Sequence, residues 1–469
     1  MAQEHFDRLT ALDASFLVQE GPTSHMHIGA VTVFEGPPPP FDGFLDTIRE
    51  RLHLVPRYRQ RLTYPPLETG RPVWTDDPAF NLEYHVRQSA LPAPGSEEQL
   101  NKLISRLFSR QLDRTRPLWE MWVVEGLAGG HWALIWKTHH AVIDGISGVD
   151  LGTVLFDFSP DPPPVEHPER PWLPAGRPSN AKLVASSALG AAVTAVRGLR
   201  SIAGLMTHPH EVLREVRDGA EGVGELVLAV LSPAPRTPLN VEIGPHRRYR
   251  AVERDLADFK EIKDALGGTV NDVVLAVVTG ALREWLHGRN VRTEGLELRA
   301  LVPVSVRAQG AGAELGNQIV AMRGPLPVYV DDAVTRLRVV REEMDGLKES
   351  KQAVGAAVLA GAQGFAPPTV LAQASRLNFS TRLFNLIVTN VPGPQFPLYV
   401  MGRRLLGLRP IAFLPRDHAL AVAIMSYDGK LSFGLLGDYD AVPDIDIIVA
   451  ALEAAIDDLL AAARAAAAQ

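Results

Sequence analysis

The sequence predicts an α/β (α+β) protein of two similar domains, each with strands and helices, and with the chemistry between them. Three observations carry this reading. The chain has 469 residues, longer than a single hydrophobic core usually grows. Strand-like and helix-like apolar patterns are mixed through both halves. A proline-loaded stretch, Ser159 to Pro178, separates those halves. The division is then 1–160 for a first domain, 161–239 for a connector and helical crossover, and 240–469 for a second domain.

In the first domain His27 to Phe34 has the β-branched composition of a strand, and Phe44 to Leu54 has helical spacing that Pro56 stops. Glu97 to Leu112 is the clearest helix, with Leu100, Leu103, Ile104, Leu107 and Phe108 on one stripe. Arg116-Pro117-Leu118-Trp119 turns the chain into further strands, Met121 to Glu125 and His131 to Thr138, joined across Gly126 to Gly130. The connector, with Pro162-Pro163-Pro164, is extended. Ser179 to Val230 then reads as two amphipathic helices. Leu183 to Met206 has the length of a membrane span, but Arg197 and Arg200 interrupt it; a crossover packed on the protein is favoured, with a lipid-touching surface helix as the alternative.

In the second domain Leu256 to Leu266 is helical, and Thr269-Val270-Asn271-Asp272 has the form of a cap before an apolar helix, Val273 to Leu286. Leu298 to Val306 and Leu386 to Thr389 read as strands and Val334 to Lys351 as a helix. Leu420 to Tyr427 and Leu431 to Leu436 form strands about a turn at Asp428-Gly429, and a helix from Asp444 to Ala466 follows.

The absence of cysteine excludes disulfides, thiolate metal ligands and a cysteine nucleophile, and suits a reducing cytoplasm. Met1 to Thr10 has no apolar block of the kind a signal peptide needs, so secretion is not expected. The net charge of -7 is dispersed over interspersed acids and bases, which argues against a nucleic-acid surface and says nothing about an oligomeric partner.

The chemistry concentrates in His139-His140-Ala141-Val142-Ile143-Asp144-Gly145, at the expected end of a strand and beside a turn containing Gly145 and Gly148. A helical turn through Ala141 to Asp144 would bring the Asp144 carboxylate beneath the His140 ring. An imidazole, with an ordinary pKa of about 6.5, can take a proton from a hydroxyl and return it to a thiolate leaving group. Direct transfer from a thioester needs no protein nucleophile, but its tetrahedral oxyanion needs a hydroxyl or amide donor. Competing readings are two structural histidines and a zinc site built from His139, His140 and Asp144. A metalloprotease helix with Glu between its histidines is not present, so no metal is expected. No Gly-x-Ser-x-Gly elbow or phosphate-loop pattern occurs either.

The run His139 to Gly145 resembles the HHxxxDG signature of the chloramphenicol acetyltransferase-like acyltransferases, which include plant acyltransferases and peptide-synthetase condensation domains. Further blocks resemble the bacterial wax ester synthase/diacylglycerol acyltransferase family, in family order and across nearly the whole chain. They are Leu12-Asp13-Ala14-Ser15-Phe16-Leu17, Val55-Pro56-Arg57-Tyr58-Arg59-Gln60-Arg61, Pro117-Leu118-Trp119-Glu120 and Asn271-Asp272-Val273-Val274-Leu275. Pro303-Val304-Ser305-Val306-Arg307, Gly316-Asn317 and Asn390-Val391-Pro392-Gly393-Pro394 complete the set.

The resemblance implies two chloramphenicol acetyltransferase-like domains, mixed sheets flanked by helices, with the active-site channel at their interface. It implies His140 as general base, Asp144 held by an arginine, and space beside the site at Gly145, with His139 completing the motif. Acyl-CoA would be a co-substrate, with no permanently bound cofactor. The acceptor would be diacylglycerol, ahead of a long-chain alcohol, and the protein would be cytoplasmic and peripheral to a membrane or lipid inclusion. Condensation onto another hydroxyl or amine, non-catalytic lipid binding and thioester hydrolysis are the alternatives.

Supporting residues keep two readings each. Asn271 is a cap residue or also orients the catalytic loop. Arg307 forms a surface ion pair or partners Asp144. Thr389 and Asn390 shape a turn or face the oxyanion. Pro117, Trp119 and Gly148 are candidates for the channel wall, although Trp119 equally suits the core.

Overall fold

Strand His27–Phe34 (β2) and strand Trp132–His139 (β7) form where their apolar patterns place them, and they pair antiparallel from Phe34 opposite Trp132 to His27 opposite His139. The computed structural model describes residues 7–142, 151–165, 172–187, 189, 233–306, 318–349 and 380–468. Its first six-stranded sheet has the order β12-β13-β2-β7-β6-β5, with β5 at Val86–Ala90, β6 at Trp119–Glu125, β12 at Tyr399–Val400 and β13 at Arg403–Ile411. The second has the order β10-β9-β11-β14-β15-β8. Its members are β8 (Arg247–Asp255), β9 (Leu298–Val306), β10 (Gln318–Leu326), β11 (Leu386–Val391), β14 (Leu420–Tyr427) and β15 (Lys430–Asp438). A small sheet of β1 (Asp7–Arg8), β4 (Val73–Asp76) and β3 (Gln60–Thr63) lies beside the first. Both large sheets mix parallel and antiparallel pairs, as the α/β (α+β) reading expects.

The helix Glu97–Phe108 opens on a capping box between Ser96 and Gln99 and buries the whole stripe from Leu100 to Phe108. It stops four residues short of the expected Leu112. The buried ammonium of Lys137 donates to the carbonyls of Leu107, at 2.8 Å, and Arg110, at 2.9 Å, and so satisfies the open end of the helix. Thr269 and Asp272 form the second capping box, and the helix Val270–Gly288 begins three residues earlier than expected and is buried from Asp272 to Leu282. It packs with helices Leu256–Leu266, Ala333–Glu349 and Ile445–Ala467 beside the second sheet.

The chain does not keep its halves separate. Strand β13 pairs antiparallel with β2, from Leu405 opposite Phe34 to Ile411 opposite Gly29. Residues 399–411, which the sequence division assigns to the second domain, are thus built into the first sheet. Where β13 meets β15, the Gly434 backbone comes so close to the Pro410 carbonyl that a Cβ there would overlap it. Edge strand β8 docks on the first-half helix, its Arg247 and Tyr249 amides each donating at 2.9 Å to the hydroxyls of Ser109 and Ser105.

No single described helix is long and apolar enough to cross a membrane. The pair Leu256–Leu266 and Val270–Gly288 passes such a test jointly, but bends by 100°, and its second member is core. Most of Leu183 to Met206 lies outside the described residues.

Candidate active site

Strand β7 delivers the histidine pair. The His139 amide donates to the Leu118 carbonyl and that of His140 to the Met26 carbonyl, both at 3.0 Å, so the backbone is tied to neighbouring segments up to the residue where the strand ends. A 3-10 turn, His140–Val142, follows. The His139 ring is fully buried, and its Nδ1 accepts the Ala141 amide at 3.1 Å. Burial lowers its pKa to about 3, helped by the charge of Arg114 and by His140. His139 is therefore neutral and faces inward.

His140 is half-buried. Its ring stacks on Phe16 at 4.0 Å and 22°, and meets the edge of Phe413 at 5.7 Å and 89°. Phe16 comes from the helix Ala11–Gln19 and Phe413 from the segment after β13. The Ser24 hydroxyl donates to the Leu414 carbonyl at 2.8 Å and ties that segment to the residues before β2. Burial lowers the His140 pKa to about 4, an interaction with its own backbone opposing. At neutral pH the ring is uncharged and can accept a proton.

From the second half, Asn271 in the first turn of the helix Val270–Gly288 meets Asn390 at the end of β11, with Asn390 Nδ2 donating to Asn271 Oδ1 at 3.4 Å. Neighbouring strand residues point to opposite faces, so Thr389 turns away from this amide pair. Asp144, Gly145, Gly148 and Arg307, like Gly316 and Asn317, lie outside the described residues. Pro117 and Trp119 are buried. The Trp119 indole donates to the Tyr58 carbonyl at 2.8 Å and stacks on His85, so its only polar atom is satisfied inside the protein. No group of three or more His, Asp or Glu side chains among the described residues could hold a metal ion.

Sequence reasoning missed Phe16, Glu20 and Phe413 as neighbours of the pair. Phe16 and Glu20 are four residues apart, which signals a shared helix face, but nothing in the pattern says what that face meets. The Glu20 side chain is 2% exposed. Arg114 Nε donates to its Oε2 at 2.5 Å, and the His27 and His139 Nε2 atoms lie 3.4 and 3.7 Å from its carboxylate.

Residues 9–274 match the wax ester synthase/diacylglycerol acyltransferase catalytic domain, and residues 315–460 match the C-terminal domain of the same family. The chain belongs to the wax ester synthase/diacylglycerol acyltransferase family. It is 36% identical over 466 residues to a Mycobacterium tuberculosis (strain ATCC 25618 / H37Rv) protein named probable diacylglycerol O-acyltransferase tgs1, covering 97% of this chain and 96% of the relative. A second protein of that organism, tgs2, is 34% identical over 459 residues, covering 97% and 98%. The solved wax ester synthase/diacylglycerol acyltransferase of Marinobacter aquaeolei VT8 superposes with a TM-score of 0.66 at 27% identity, covering 97% of this chain and 99% of that one. The trichothecene 15-O-acetyltransferase TRI3 of Fusarium sporotrichioides shares the fold, with a TM-score of 0.60 at 12% identity over 97% and 95% of the two chains. Membership in this family makes the chain an acyltransferase.

Proposed function

We propose that this acyltransferase moves a long-chain fatty acyl group from acyl-CoA to diacylglycerol, forming triacylglycerol, or to a long-chain alcohol, forming wax ester. The observation that carries the proposal is His140: a half-buried imidazole, uncharged at neutral pH, held at a strand end between Phe16 and Phe413. In this reading the ring accepts the proton of the acceptor hydroxyl as its oxygen bonds to the thioester carbon. The tetrahedral intermediate then collapses, the carbon–sulfur bond breaks, and the imidazolium returns the proton to the departing thiolate. The roles proposed for Asp144, pairing with an arginine, and for Gly145, leaving space for the acceptor, come from the motif resemblance alone. The Asn271 and Asn390 amides, Thr389 and Arg307 are the candidates for supporting the site or its oxyanion.

Each methylene moved from water into an apolar channel contributes about 0.8 kcal/mol, so such a channel separates short acceptors from long ones far better than long ones from each other. Overlap between diacylglycerol and long-chain alcohols follows, with diacylglycerol preferred in keeping with the names of the mycobacterial relatives. Product of this kind partitions into lipid, and the protein is placed at the surface of a membrane or lipid inclusion, peripherally. The decisive assay pairs palmitoyl-CoA with dioleoylglycerol or hexadecanol in one detergent, reading ester by thin-layer chromatography and free thiol together. Triacylglycerol is expected in excess. Transfer only to short polar alcohols or amines would defeat the lipid reading, and thiol release independent of acceptor would make the protein a thioesterase. Alkaline extraction should release the protein from membranes; retention reversed only by detergent would contradict peripheral binding.

A further inference from the structure

The helix Ala11–Gln19 and its cap meet both members of the histidine pair. Phe16 stacks on His140, and one turn further Glu20 faces His139. Since burial keeps His139 neutral, its ring carries a single proton, and the Ala141 amide already occupies Nδ1 as a donor. The proton must then sit on Nε2. That nitrogen is buried without a hydrogen-bond partner among the described residues, and Glu20 Oε2 lies 3.7 Å from it. Arg114 anchors the carboxylate from the outer side, donating also to the Leu17 carbonyl at 2.6 Å. Burial raises the Glu20 pKa, with Arg114 and Lys137 opposing that rise.

We propose that Glu20 is a positioning residue: its carboxylate holds His139 as the Nε2–H tautomer, and the resulting Nδ1 acceptor anchors the Ala141 amide and the turn that presents His140. The inference rests on reading His140 as the base. That the surroundings of one ring nitrogen set the protonation of the other is a general property of imidazole.

Nitrogen-15 NMR of histidine-labelled protein without substrate reads the tautomer directly, with the His139 signals assigned by their loss in His139→Asn. In the wild type His139 is expected to show an unprotonated Nδ1 and a protonated Nε2; in Glu20→Gln the two should move towards each other. Kinetically, Glu20→Gln should lower kcat about 10- to 100-fold with the KM for palmitoyl-CoA within about twofold. His139→Asn keeps an acceptor near the Nδ1 position but has nothing for Glu20 to orient, so adding Glu20→Gln to it should cost no further rate. Multiplying losses, or an unmoved tautomer in Glu20→Gln, would overturn the proposal. Should Glu20→Gln not fold, Glu20→Asp, which keeps the charge but withdraws it, carries the same readouts with an intermediate effect expected. Failure of the base reading would appear elsewhere, as His140→Ala retaining its rate, while the tautomer is measured with no reaction at all.

Discussion

His140 carries the reaction in the proposed mechanism, yet it contributes little packing that Phe16 and Phe413 do not supply without it. His140→Ala is therefore expected to lower kcat about 10²- to 10⁴-fold while circular dichroism stays that of the wild type. A variant keeping most of the rate at saturating acyl-CoA would remove the general base from the scheme. The pH dependence follows from burial. With its pKa lowered to about 4, the ring is deprotonated at every pH above that value, so kcat/KM should stay level from pH 8 down to about 5.5. An acid limb centred near the ordinary imidazole value of about 6.5 would show that the base is not desolvated. The motif residues His139 and His140 were legible because a strand pattern runs straight into them. Phe16, Glu20 and Phe413 were not, because each lies more than a hundred residues away from the pair and meets it only in the folded chain.

The helix Val270–Gly288 is buried without a break from Asp272 to Leu282, and its start is set by Thr269. The Thr269 hydroxyl accepts the Asp272 amide at 3.2 Å while Asp272 Oδ2 accepts the Thr269 amide at 2.8 Å. Thr269→Ala should cost about 1 kcal/mol, read as a lower denaturant midpoint at unchanged slope. A neutral substitution would mean the helix start is held by packing alone. Elements marked by an apolar run or stripe were legible: β2, β9, β14 and the helix Leu256–Leu266 have the expected bounds. Strands β8 and β13 went unread. Arg247–Asp255 and Arg403–Ile411 are rich in arginine and mix buried with exposed positions without clean alternation, so no period-two signal marks them.

At the scale of the whole molecule the two sheets meet by close backbone approach of β13 and β15. Gly434→Ala would press a methyl into the Pro410 carbonyl at the seam of β13 and β15 and should destabilise by about 1 to 3 kcal/mol, measurable by urea unfolding; wild-type stability would mean that the seam yields freely. His85, 1% exposed and with its Nδ1 facing the Trp119 carbonyl at 2.8 Å, has its pKa lowered by burial to about 4. The unfolded chain then binds the extra proton first. Stability from this group is complete above about pH 6.5 and is lost as pH falls towards 4, amounting to about 3 kcal/mol. Urea midpoints at pH 7, 5.5 and 4.5 should fall accordingly, and His85→Phe should flatten the trend; an unchanged slope in that variant would assign the acid sensitivity elsewhere.

By itself the sequence determined the α/β class, most elements with a single apolar period, the helix cap at Thr269 to Asp272 and the strand-end histidine pair, since each rests on neighbours within a few residues. Tertiary structure alone decided that β13 returns to the first sheet, that Trp119 is core, and that Phe16, Phe413 and Glu20 surround the histidines. The reason is physical. Local spacing fixes which face of a strand or helix is apolar, but which two faces meet depends on sheet pairing and close packing among residues far apart in the chain, and a one-dimensional period contains no term for that.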